Sequence, residues 1–275
     1  MTNPLHCACV QTTTGPDFER NLRESLQMIR EAASRGATLI GLPEAVDLLD
    51  ADNERMRAFA APMHQHPALK GYRAAARELG VAVLVGSIAA LNESGQMVNR
   101  CVFIDRQGAI ACYYDKVHLF DAAPGEVVST ESKLYVAGTR AVVAELDHAR
   151  IGLSICYDLR FPQLFRTLAK GGANVLAIPA AFMQVTGEAH WHALMRARAI
   201  ENGCFVFAPA QCGNNYGARQ SFGHSIIIDP WGRVLAETGT EPGIIDATLD
   251  LALVQQARRA IPSLGADRPF SLSMP

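Results

Sequence analysis

A single free thiol stands where acyl chemistry would need one. The segment Arg150-Ile-Gly-Leu-Ser-Ile-Cys156-Tyr-Asp-Leu-Arg160-Phe-Pro162 reads as an apolar strand that runs into a cysteine and then turns into a helix. Ile151, Leu153 and Ile155 alternate along one strand face. Pro162 suits the first turn of the helix that follows. At such a corner a side chain is held rigidly beside backbone N–H groups, a setting that favours a nucleophile. The alternative for Cys156 is a small buried hydrophobe, the usual place of a free cysteine.

Two other apolar runs also end in an ionisable group. Leu39-Ile-Gly-Leu-Pro-Glu44 closes a buried strand with a carboxylate, and Tyr113-Tyr-Asp-Lys116 places an ammonium just past a hairpin strand. Taken singly, Glu44 could be an acid at a helix start and Lys116 a solvated surface charge. Taken together with Cys156, and with the three strands as neighbours in one sheet, their ends would converge where α/β sheets bind ligands. Arg160 lies four residues beyond Cys156, one helical turn on. It could hold a substrate carboxylate bidentately, or pair with Asp158 or a helix end.

The elements that must carry these groups alternate along the whole chain. Strands are expected at 6–11, 38–42 and 81–88, with helices over 18–35 and 68–79 between them. Hairpins are expected over 98–114, over 141–155 and across Asp229-Pro-Trp-Gly232. Helices follow near 163–170, 190–202 and 251–260, with strands at 174–178, 205–210 and 243–249. In this reading His190 and Trp191 start the long helix, and Gly171-Gly172 stops the helix before it. No linker or repeat interrupts the pattern, so residues 1–275 read as one domain of layered sheets with helices outside.

Composition narrows the functional classes. The 275 residues are 49% hydrophobic and 19% charged, with a net charge of −2, as in a globular domain without a nucleic-acid-binding stripe. The longest apolar stretches, 81–91 and 175–185, are interrupted and too short to span a bilayer. The N-terminus lacks a basic segment before an apolar run and reads as an unprocessed start. Seven cysteines without paired spacing suggest neither a disulfide framework nor a zinc site, and point to a reducing, cytoplasmic setting. Cys7 and Cys9 would share a buried strand face, and Cys204 and Cys212 read as core residues. His64, His66, His190 and His192 lack the spacing of a metal site. Arg196, Arg198 and Glu201 read as a solvated face or a subunit contact.

The ordered set Leu-Pro-Glu44, Asp-Lys116-Val-His-Leu-Phe and Ile-Cys156-Tyr-Asp-Leu-Arg-Phe-Pro resembles the three signatures of the nitrilase (carbon–nitrogen hydrolase) superfamily. Gly187-Glu-Ala-His-Trp191, Arg196-Ala-Arg-Ala-Ile-Glu-Asn202, Gly223-His-Ser225 and Asp229-Pro-Trp-Gly232 extend the similarity over nearly the full chain. The resemblance implies an α/β fold, a four-layer αββα sandwich of two mixed sheets with helices on the outer faces. It also implies a Glu–Lys–Cys triad, no cofactor, no metal and a homodimer or higher homo-oligomer. The branch it is most similar to holds Nit-type amidases, which act on ω-amides of 2-oxo acids or on deaminated glutathione. Ala210-Gln-Cys-Gly213 resembles the deaminated-glutathione side. In these terms Cys156 would attack, Glu44 would take its proton, and Lys116 with the Tyr157 N–H would hold the oxyanion. A second acid is implied between Lys116 and Cys156, where Glu126 and Glu131 are available and the family's Glu-Ser pattern favours Glu131. Similar enzymes bind the substrate carboxylate at positions matching Arg160, Phe182 and Thr186. The same triad would also serve a nitrilase or an N-carbamoyl hydrolase, and the scaffold alone would serve a non-catalytic dimeric binding protein. The segment from Asp121 to Pro124 and the tail near Ala266 depart from the family pattern, which bears on substrate detail.

Overall fold

Strict alternation along the first strands decides how the chain layers. Residues 7, 9, 39, 82, 84, 101 and 103 point to one apolar cluster, while 8, 10, 40, 83, 85, 102 and 104 point to another. A strand sends successive side chains to opposite faces, so one sheet separates the two clusters. The computed structural model describes residues 4–123 and 129–274.

In chain order the first half holds β1 (Leu5–Gln11), α1 (Phe18–Ser34), β2 (Leu39–Gly41), α2 (Asn53–Phe59) and β3 (Ala61–Pro62). It continues through α3 (Pro67–Leu79), β4 (Ala82–Leu91), β5 (Met97–Ile104), β6 (Ile110–Asp115), β7 (Asp121–Ala122) and β8 (Ser129–Thr130). The second half begins with β9 (Val142–Leu146), β10 (Ala149–Leu153), α4 (Pro162–Lys170), β11 (Val175–Ala177) and α5 (Gln184–Asn202). Then come β12 (Phe205–Ala208), β13 (Cys212–Tyr216), β14 (Arg219–Phe222) and β15 (Ile226–Ile228). The last elements are β16 (Val234–Glu237), β17 (Gly243–Leu249) and α6 (Ala252–Ala260).

The first sheet runs β17-β1-β2-β4-β5-β6, with β3 beside β4, and the second runs β16-β15-β12-β11-β10-β9. Both mix parallel and antiparallel pairs. Helices α1 and α3 cover the outer face of the first sheet through Ile29, Ala32, Tyr72, Ala75 and Ala76. Helices α4 and α5 cover the second through Phe165, Leu168, Trp191, Met195 and Ala199. The fold is the expected αββα sandwich. Strands β11 and β12 are buried on both faces and so read as unbroken apolar runs. Each fully buried Phe between the sheets, such as Phe103 and Phe207, contributes about 1.5–3 kcal/mol.

Two glycines let backbones close together beneath one end of the sandwich. A Cβ on Gly41 would stand 2.4 Å from the Phe207 ring, across the sheet interface. A Cβ on Gly86 would stand 2.0 Å from the Leu42 carbonyl oxygen, so β4 can pass directly under the turn that presents Glu44.

Several expected boundaries shift. Helix α5 begins at Gln184, so His190 and Trp191 lie inside it and do not start it. Helix α2 and the β13–β14 hairpin carry no strong sequence signal and were not expected. Arg198 is not on a solvated face: it is buried, donates from Nε to the Leu159 carbonyl at 3.0 Å, and pairs with Glu201 at 2.6 Å. The three strands that end near Glu44, Lys116 and Cys156 are not neighbours in one sheet. β2 and β6 belong to the first sheet and β10 to the second, so the groups meet across the sandwich.

Candidate active site

The turn that carries Cys156 is fixed from below. After β10 the chain enters a 3-10 turn over Cys156–Arg160, and Pro162 opens α4 directly behind it. The Cys156 N–H donates to the Pro179 carbonyl at 2.9 Å, and Ser154 Oγ donates to the Ala177 carbonyl at 2.8 Å. Cys156 itself has φ +47°, a conformation that costs a non-glycine residue about 1–3 kcal/mol. Ala45, next to Glu44, has φ +52°, and its N–H is held by Ser87 Oγ at 2.8 Å. The backbone is therefore strained on both sides of the same cavity.

Fully buried Asp158 ties the turn to the strand that carries Lys116. Its carboxylate accepts from the Ile155 N–H at 2.8 Å, the Tyr114 hydroxyl at 2.7 Å, the His118 N–H at 3.1 Å and His118 Nδ1 at 2.6 Å. Asp158 does not pair with Arg160, which leaves that guanidinium free to reach the cavity.

Glu44, Lys116, Glu131 and Cys156 line one cavity of about 350 Å³. Lys116 is 2% exposed and donates from Nζ to Glu44 Oε1 at 2.7 Å and to Glu131 at 2.9 and 3.1 Å. The second Glu44 oxygen accepts from the Ala181 N–H at 2.8 Å. Glu131 also accepts from the Phe120 N–H at 2.6 Å. Asn99 was absent from the expected residues. Its Nδ2 donates to Glu44 Oε1 at 3.1 Å and to Glu131 Oε1 at 2.8 Å, so one amide bridges both acids. Nothing but its place in β5, one strand from Lys116, could have marked it. Glu126, the other acid available between Lys116 and Cys156, lies outside the described residues.

The charges set the resting protonation. Burial works against an ionised Glu44, but the Lys116 charge and hydrogen bonds from Lys116, Cys156 and the Ala181 N–H outweigh it and hold the carboxyl below its usual range. Burial works against a charged Lys116 too, yet Glu131 and Glu44 hold it well above its ordinary value. Burial, then the Glu44 charge, push the Cys156 thiol up against the pull of Lys116. At rest the site is a neutral thiol between a carboxylate and an ammonium.

The remaining expected residues surround this floor. Tyr157, Arg160, Phe182 and Thr186 all line the cavity. The Tyr157 N–H has no acceptor among the described residues. The Arg160 guanidinium carbon lies 5.2 Å from the Phe182 ring centre. Phe182 packs edge-on against Trp191 at 5.2 Å, and Thr186 donates to the Met183 carbonyl at 3.2 Å. The histidines do other work. His66 is buried beside Asp47, and His192 shares Glu237 with His224 through 2.7 Å hydrogen bonds outside the cavity.

A cavity closed by a thiol, a carboxylate and an ammonium at the end of an αββα sandwich defines a class, the thiol-dependent hydrolases of carbon–nitrogen bonds. The carbon–nitrogen hydrolase family model matches residues 6–259, and the chain belongs to that family. It is 40% identical over 272 residues to the deaminated glutathione amidase of Bos taurus, covering 97% of this chain and 82% of that protein. Crystal-structure relatives include Saccharomyces cerevisiae Nit3, a member of branch 10 of the nitrilase superfamily. It is 28% identical with a TM-score of 0.86, over 94% of this chain and 95% of that one. A mutant amidase from Nesterenkonia sp. AN1 carries the acetamide moiety of fluoroacetamide on its active-site cysteine. It is 26% identical with a TM-score of 0.80, over 94% and 95% of the two chains. The protein is thus an amidase-type hydrolase of carbon–nitrogen bonds.

Proposed function

We propose that Cys156 is the nucleophile, Glu44 the general base and acid, Lys116 the oxyanion-binding cation and Glu131 the acid that orients Lys116. The observation that carries this reading is the contact of one buried ammonium with two carboxylates in the cavity that Cys156 also lines. A neutral thiol must lose its proton as it attacks, and ionised Glu44 is the group positioned to accept it. Sulfur then bonds to the amide carbon while the oxygen takes the negative charge, held by Lys116 and the Tyr157 N–H. Each such donor stabilises the transition state by about 3–4 kcal/mol. Collapse breaks the C–N bond, Glu44 returns its proton to the departing nitrogen, and the amine or ammonia leaves a thioester. Water then gives a proton to Glu44 and attacks, the C–S bond breaks, and the proton returns to sulfur as the acid departs. Thiol, carboxylate, ammonium and water supply every proton and electron pair, so the scheme needs no cofactor.

The substrate we propose is a small carboxylate-bearing amide, deaminated glutathione or an ω-amide of a 2-oxo acid. Arg160 would clamp its carboxylate, with Phe182 and Thr186 shaping the wall beside it. The name of the bovine relative and the absence of an acidic partner for Arg160 among the described residues support this reading. We take residues 1–275 to act as one domain, a view supported by β1 and β17 pairing along their length. Seven free cysteines, most of them buried, fit work in the cytoplasm. Val185, Ile200 and Trp231 are exposed apolar residues that fit a homodimer contact. The test is a panel of deaminated glutathione, an ω-amide, a nitrile and an N-carbamoyl amine. Release of acid and amine or ammonia from the first two is expected. Turnover confined to the nitrile or carbamoyl compound would move the enzyme to those classes, and no turnover at all would refute the reading.

A further inference from the structure

Outside the cavity, three side chains of metal-binding type converge from three separate elements. His192 lies in α5, His224 just after β14, and Glu237 at the end of β16. His192 Nε2 and His224 Nδ1 each stand 2.7 Å from one oxygen, Glu237 Oε1, and the three atoms all lie within 4.8 Å of one another. Glu237 is 45 residues from His192 and 13 from His224, so short-range spacing carries no trace of the cluster. None of the three lines the cavity, and no step of the proposed hydrolysis uses them.

The frame around them holds the ligand atoms in place. His224 has φ +55°, a left-handed backbone that is strained for a non-glycine residue. Its N–H donates to the Gly239 carbonyl at 2.9 Å, its carbonyl accepts from Trp191 Nε1 at 2.9 Å, and Phe222 stacks on its ring at 4.4 Å. The imidazole is thereby aimed at Glu237. His192 and Glu237 keep 42% and 28% of their side chains exposed, so water can complete a coordination shell. Two imidazole nitrogens and a carboxylate oxygen suit zinc and its neighbours among the divalent transition metals. Ligands about 2.0–2.1 Å from a tetrahedral zinc ion stand about 3.3 Å apart, so each 2.7 Å contact has to open by only about 0.6 Å. We propose that His192, His224 and Glu237 form a binding site for a divalent transition metal ion, which ties α5 to β16 and to the chain after β14. A hydrogen-bonded trio that takes no metal is the competing account.

The test is a calorimetric titration of chelator-stripped protein with zinc ion alone, in a Cys156→Ala background so that the cavity thiol cannot compete. One zinc ion per chain is expected, with a Kd below about 10 μM. His192→Ala and Glu237→Gln, both at exposed side chains, should each weaken binding by more than the about 10- to 100-fold that loss of an outer-shell partner costs. His224→Asn should do the same while keeping a residue that tolerates the left-handed backbone. Zinc at about 100 times its Kd should raise the melting temperature of the parent by about 5 °C and leave all three variants unmoved. Metal-free melting curves of the variants show that each is folded. No binding tighter than about 1 mM would overturn the proposal in favour of the hydrogen-bonded trio. Binding that survives the three substitutions, or that ignores Glu237→Gln, would mark an adventitious ion only and would overturn it equally.

Discussion

Replacing Lys116 by Met removes the one positive charge between buried Glu44 and part-buried Glu131 and should reverse how the site responds to pH. Lys116 Nζ contacts Glu44 at 2.7 Å and Glu131 at 2.9 Å, so the carboxylates lie within about 6 Å of each other. At an effective dielectric of about 20 their unscreened repulsion is about 3 kcal/mol. That agrees with the about 3–5 kcal/mol lost when one partner of a buried ion pair is deleted. In the wild type, the Glu44 carboxyl is held below its unfolded value, so its contribution is full above the unfolded carboxyl pKa of about 4.3 and lost as pH falls. In Lys116→Met the paired acids would share a proton with a raised folded pKa. Their contribution would then be present at low pH and lost as pH rises. Denaturant titrations of both proteins should show a stability gap that is already present at pH 5 and widens by up to about 3 kcal/mol by pH 8. Activity should fall about 10²- to 10³-fold through loss of an oxyanion donor. A gap that is constant with pH, or below about 1 kcal/mol throughout, would refute the coupling of these three groups.

Asn99→Ala removes the amide that bridges Glu44 and Glu131. It should lower kcat by about 10- to 100-fold with KM little changed, since hydrogen bonds to charged groups are worth about 1.5–3 kcal/mol each and water can replace part of them. Steady-state kinetics decides this, and an unchanged kcat would remove Asn99 from the site. Asp158→Asn turns an acceptor of four hydrogen bonds into a group that must also donate. It should destabilise the protein by about 2–4 kcal/mol and lower activity more than stability alone explains. Chemical denaturation together with rates measured well below the melting range would show both effects, and wild-type values in either would contradict the positioning role.

The four-layer sandwich was implied by the resemblance of the motifs, whereas the pattern alone gave layered sheets with helices outside, because that much is local. Alternation at Cys7 and Cys9 marked a strand with one buried face, which the structure places between the sheets, and apolar runs marked strands at 174–178 and 205–210, which the structure covers on both faces. Which strands share a sheet is not local. Glu44, Lys116 and Cys156 each end an apolar run, and nothing in that pattern shows that β10 belongs to the opposite sheet. The start of α5 was hidden for a physical reason. Val185 is exposed, no side chain caps the helix, and Gly187 argues against helix by propensity. Gly187 is there because a Cβ would meet the Phe222 ring at 2.2 Å, a contact made by the hairpin that was not expected. The same hairpin explains why Arg219, which lines the cavity from β14, stayed invisible while Arg160, one turn beyond the thiol, did not. Asn99 is held to Glu44 and Glu131, and Arg198 to the Leu159 carbonyl, each 30 or more residues away, and polar residues of that kind read as surface until the fold is known.

Acylation of Cys156 can be measured directly. Rapid quenching of the enzyme with a turning-over amide, followed by intact-mass and peptide analysis, should show one acyl group on the peptide containing Cys156 and none in Cys156→Ala. The alanine variant should keep its fold and lose about 10⁴-fold or more in rate. An acyl group on another cysteine, or normal turnover by the alanine variant, would contradict the assignment of the nucleophile.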